Sequence, residues 1–127
     1  MTPPRRVPWK LTVRAGPRVE HRSFEALGEA LAALEARAGE LTSAGARRPV
    51  DTKLRRFEPA QQVAARLEVA GPQRLAPSVR GGLDVHGDGA LEAYTGWVRR
   101  QVVERRRGES AYQALARALH AAGGEAP

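Results

Sequence analysis

The side chains with the most chemical capacity in this chain are its arginines. The 127 residues hold 19 Arg and 2 Lys against 14 Asp plus Glu, a formal charge of +7 and a sequence pI near 11.1. A guanidinium is always charged, binds phosphate through a planar fork and stacks on bases through its face. These cations are grouped: residues 1–22 carry +5, 47–57 carry +4 and 99–107 carry +4, whereas 23–46 carry −3. Ala, Arg, Gly and Pro make up 64 of the 127 positions, all with codons rich in G and C, and Ile, Asn and Cys are missing. Base composition thus accounts for part of the Arg excess, and the information lies in where the charge falls. The candidate nucleic-acid contacts are Arg5, Arg6, Lys10, Arg14, Arg47, Arg48, Lys53, Arg55, Arg56, Arg99, Arg100, Arg105, Arg106 and Arg107.

Other chemistries find little support. With no Cys there are no disulfides, Cys-ligated zinc, iron–sulfur clusters or thiol nucleophiles. The run Asp84-Val85-His86-Gly87-Asp88-Gly89 has carboxylates at the first and fifth positions of a calcium loop and Gly at the sixth, but His86 holds the third and Thr95 stands where a bidentate Glu is needed. Glu92 likewise fills the third glycine position of a dinucleotide fingerprint begun by Gly87 and Gly89. His21, His86 and His120 have no i, i+4 partners, and Ser23 and Ser110 suit helix caps better than nucleophiles. A cross-hairpin pair such as Asp84 and Glu92 reads as a polar rung. The expectation is a non-enzymatic protein without metal or cofactor. Nothing approaches a membrane-spanning apolar run, and Met1 to Pro8 lacks a signal-peptide core, so a soluble cytoplasmic protein is expected.

The elements that position these residues follow from hydrophobic periodicity. Trp9, Leu11 and Val13 alternate with polar residues as a strand, Ala15-Gly16-Pro17-Arg18 turns, and Val19 to Arg22 returns. Ser23 reads as the N-cap of an amphipathic helix over 24–41, on the stripe Leu27, Leu31, Leu34, Ala38 and Leu41. Residues 41–51 read as a loop and 52–59 as a short extended piece. Val63 to Val69 alternates as a strand ending at Gly71-Pro72, and Val79, Gly81, Leu83 and Val85 form another. Asp88-Gly89 signals a two-residue hairpin with positive φ at both positions, leading into a long strand over 90–103. Ser110 caps a second helix stopped by Gly123-Gly124.

The order β-β-α-β-β-β-α implies an α+β fold: a two-layer domain over residues 9–122, with four to five antiparallel strands and both helices on one face. A flexible basic arm (1–8) and a disordered tail (123–127) flank it. Lys10, Arg14, Arg66, Arg80 and Arg100 then point to the open face with Glu68, Asp84 and Glu92. Trp9 and Trp97 fall in phase with the core, and Tyr94 falls out of phase, which predicts an exposed ring. The helix, three strands and helix of 24–122 resemble in element order the double-stranded RNA-binding domains and the related ribosome-hibernation factors. Where the former open the last helix with a Lys cluster, this chain has Gly108-Glu109-Ser110-Ala111, just after Arg105 to Arg107. That resemblance implies RNA or ribosome contact ahead of DNA. The leading expectation is a small protein gripping nucleic-acid phosphates through Arg clusters. The alternative is a protein-interaction or adaptor domain, homodimeric or not, in which the acidic helix (Glu25, Glu29, Glu35, Glu40) meets a basic partner. A small-molecule-binding domain would require a pocket.

Overall fold

The computed structural model describes residues 8–47, 63–71, 79–96 and 99–123. It contains β1 (Trp9–Ala15), β2 (Arg18–Phe24), α1 (Leu27–Arg47), β3 (Val63–Ala70), β4 (Arg80–His86), β5 (Leu91–Thr95), β6 (Gln101–Val102) and α2 (Ala111–Gly123). The strands form one antiparallel sheet in the order β2-β1-β3-β4-β5-β6. The α+β class and the element order are those expected, with six strands instead of four to five.

Alternation in the strands decides the layers. Trp9, Leu11 and Val13, then Ala65, Leu67 and Val69, then Leu83 and Val85, then Ala93 all point to one face and are buried. Against them pack Leu27, Ala30, Leu31, Leu34 and Ala38 of α1 and Ala111, Leu115 and Leu119 of α2. Each fully buried Leu contributes on the order of 1.5–3 kcal/mol through removal of its surface from water. At Gly81 a Cβ would stand 2.8 Å from Tyr94 O and 3.0 Å from Leu119 Cδ2, so this position lets α2 approach β4 closely. Ser110 caps α2 as expected: its Oγ accepts from Gln113 N–H at 3.1 Å, and its own N–H donates to Gln113 Oε1 at 2.8 Å.

Several boundaries differ from expectation. Helix α1 begins at Leu27 rather than 24, because β2 runs on to Phe24 and pairs Ser23 with Lys10 and Phe24 with Trp9. It continues to Arg47 through a stretch that reads locally as loop. The strand expected over 90–103 is two strands, broken where Gly96 takes a φ of 92°, a conformation that other residues rarely adopt. The β4–β5 hairpin is also different: Asp88 keeps a negative φ, and only Gly89 is positive at 88°. Gly89 N–H donates to His86 O at 2.9 Å and His86 N–H to Ala90 O at 2.8 Å, a three-residue loop in place of the two-residue turn. Trp97, residues 1–7 of the arm, the extended piece at 52–59 and most of the tail lie outside the described residues.

Candidate nucleic-acid interface on the open sheet face

The strand positions that alternate with the core build the opposite face. Register arranges them in rungs: Thr12 beside Glu68, Gly82 and Tyr94; Arg14 beside Arg66, Asp84 and Glu92; Lys10 beside Ala70 and Arg80. Thr12, Arg14, Arg66, Glu68, Arg80 and Arg100 line a cleft of about 310 Å³ on this face. Four guanidiniums therefore converge there, delivered by β1, β3, β4 and the segment leading into β6, with one carboxylate among them.

Arg14 and Arg66 stand directly opposite on neighbouring strands, a like-charge pairing that costs stability unless countered. Asp84, on the next strand, counters it. Arg66 donates Nε to Asp84 Oδ1 at 2.6 Å and Nη2 to Oδ2 at 3.2 Å, a two-pronged contact on a carboxylate only 12% exposed. The bond to Asp84 raises the Arg66 pKa. Arg80 Nη1 lies 3.8 Å from Glu68 Oε2. Arg14 and Lys10 are exposed and form no ion pair among the described residues. The cleft thus keeps positive charge that its own carboxylates do not neutralise.

Tyr94 is its floor. The ring is on the open face as alternation requires, yet it is 3% exposed, correcting the expectation of an exposed ring. Gly82 is the reason: a Cβ there would collide with Leu67 O and stand 2.8 Å from Tyr94 Oη, so only glycine lets the ring lie flat across β4. The guanidiniums of Arg66 and Arg100 then cover it, 5.6 Å and 4.8 Å from the ring centroid. Burial first, and the Glu68 charge second, push the phenol well above its ordinary range. The Tyr94 hydroxyl and Glu68 Oε1 are both buried without a hydrogen-bond partner.

The basic segments converge only in part. Lys10, Arg14 and Arg100 reach the open face, with Arg99 exposed beside them. Arg105, Arg106 and Arg107 do not line the cleft. They form an exposed turn before α2, fixed by Glu109, whose Oε1 accepts from Arg106 N–H at 2.8 Å and whose carboxylate is forked by Arg117. Arg47 ends α1, and Arg5, Arg6, Arg48, Lys53, Arg55 and Arg56 lie outside the described residues. Conversely, Arg66, Arg80, Thr12 and Glu68 line the cleft without belonging to any basic run; the period-2 pattern of β1, β3 and β4 was the signal for them. The acidic side chains of Glu25, Glu29 and Glu35 are exposed on or just before α1, in the layer across the sheet from the cleft. Among the described residues no three His, Cys, Asp or Glu side chains group to hold a metal ion, and no helix is long and apolar enough to cross a membrane. No family model, curated protein or solved structure matches the chain.

Proposed function

We propose that this chain is a small non-enzymatic nucleic-acid-binding protein that receives a sugar–phosphate backbone on the open face of its sheet. The observation that carries this reading is the convergence of Arg14, Arg66, Arg80 and Arg100 on one cleft, with Lys10 beside it. Phosphate suits this cleft because a guanidinium fork matches its oxygens. RNA is placed ahead of DNA on the helix–strands–helix order alone, in which the two-residue β6 adds a fourth strand to the three expected.

The test is fluorescence anisotropy with a labelled single-stranded RNA of about 20 nucleotides, a length chosen to span the face, at two salt concentrations. Each phosphate neutralised on a single strand contributes a slope of roughly −0.7 in log K against log salt. Contacts through Lys10, Arg14 and Arg100 alone predict a slope near −2, so affinity falls by roughly 15- to 20-fold between about 50 and 200 mM salt. No binding, or binding indifferent to salt, contradicts the reading.

A further inference from the structure

The two edges of the sheet are built differently. At one end β6 is only Gln101–Val102, too short to template another strand. At the other, β2 runs seven residues from Arg18 to Phe24 in unbroken register with β1, with every residue from Arg18 to Ser23 exposed. No proline, bulge or covering element among the described residues interrupts it. The Gly16-Pro17 turn makes Ala15 and Arg18 a hydrogen-bonded pair, so by alternation Glu20 and Arg22 also bond inward to β1. Val19, His21 and Ser23 therefore direct their N–H and C=O groups outward from the edge. Val19 is also a large apolar side chain left 45% exposed there.

We propose that this edge pairs antiparallel with β2 of a second copy of the chain, on a two-fold axis at His21. Charge selects both partner and register. Outward groups must meet outward groups, so only registers two residues apart are allowed. One of these sets Glu20 against Glu20 of the other copy and another sets Arg22 against Arg22; both bring like charges face to face. The register between them sets His21 against His21, places Glu20 opposite Arg22 in both directions and lays Arg18 opposite Phe24. Arg22 already stacks on its own Phe24, 5.0 Å from the ring centroid, so guanidinium on that ring is a contact this face makes. Glu20 is held in place by Arg37 of α1, which donates Nη2 to Oε1 at 2.9 Å and Nε to Oε2 at 3.3 Å. The edge is thus self-complementary in backbone, charge and aromatic contact. A two-fold axis normal to the sheet keeps both open faces on one side. The rungs then continue across it, Arg14-Val19 of one copy in line with Ser23-Lys10 of the other, making one basic surface of two clefts.

Sedimentation equilibrium of the full chain, over concentrations spanning dissociation, tests this with charge-reversal variants. The wild type self-associates to a dimer. E20R sets a second guanidinium against Arg22 of the other copy, R22E sets a second carboxylate against Glu20, and each lowers the association constant at least tenfold. E20R/R22E re-creates opposite pairs and recovers most of it, although it lacks the Glu20–Arg37 contact just as E20R does. H21P, which removes an outward N–H without touching the β1 ladder, gives a folded monomer by circular dichroism. A monomeric wild type, or a dimer unaffected by single reversals or not rescued by the double, overturns the proposal.

Discussion

The two faces of the sheet are made by the same strands and, residue by residue, do opposite work. On β3, Ala65, Leu67 and Val69 enter a dry core while Arg66 and Glu68, between them, face the cleft. On the core face, contacts are interchangeable in kind, since any apolar side chain of the right volume adds to burial. On the open face each contact depends on a particular partner: Arg66 on Asp84, Tyr94 on the absence of a side chain at Gly82. Substitutions on the core face should therefore act on stability, and those on the open face on binding, with Asp84 and Tyr94 as the places where the division blurs.

The largest expected effect on stability is from Leu67→Ala or Leu83→Ala, both fully buried, at about 2–5 kcal/mol in denaturant unfolding. Thr12→Ala on the other face should stay within about 0.5 kcal/mol. Equal losses from the two would erase the distinction. Next is Asp84→Ala, which leaves Arg14 and Arg66 uncompensated across the β1–β3 pair. We expect a loss of about 1–2 kcal/mol, discounted because the Arg66 side chain is 30% exposed. Restoration by the double variant Asp84→Ala/Arg14→Ala would sharpen the assignment to charge.

Tyr94→Phe removes a buried hydroxyl without a partner, and its melt should match the wild type or rise, within about 1 kcal/mol. A clear loss would mean that the hydroxyl is satisfied. The smallest effect concerns Glu109, held at about 2 against an ordinary 4.5 by the Arg117 fork and then by the Arg106 N–H. A carboxylate whose folded pKa is depressed contributes stability above its unfolded pKa and loses it as pH falls through the folded one. Glu109→Gln should therefore lower the neutral part of the stability curve slightly, leave the end near pH 2 little changed, and so flatten the limb between about pH 4.5 and 2.

What could be read in the sequence follows the same division. Strands β3 and β4 and the Ser110 cap are specified by neighbours a few residues away, so periodicity and capping chemistry reveal them. Ser23 also looks locally like a cap, but pairing with Lys10, thirteen positions earlier, holds it in a strand. Alternation assigns Tyr94 to the correct face and misses its burial, because the burial is made by Gly82 on one strand and by Arg66 and Arg100 from two other segments. Runs of Arg drew attention to 105–107, whereas the cleft gathers single arginines scattered over four segments, which only the sheet register brings together.

That contrast defines the most direct test. RNA affinity at low salt should be compared between Arg14→Glu/Arg100→Glu, on the open face, and the triple reversal Arg105→Glu/Arg106→Glu/Arg107→Glu, on the turn before α2, each checked for an intact fold by circular dichroism. If the open face is the binding surface, the double variant loses affinity at least tenfold more than the triple one despite changing less charge. If the triple variant loses as much or more, charge in bulk rather than the cleft governs binding, and the central claim is wrong.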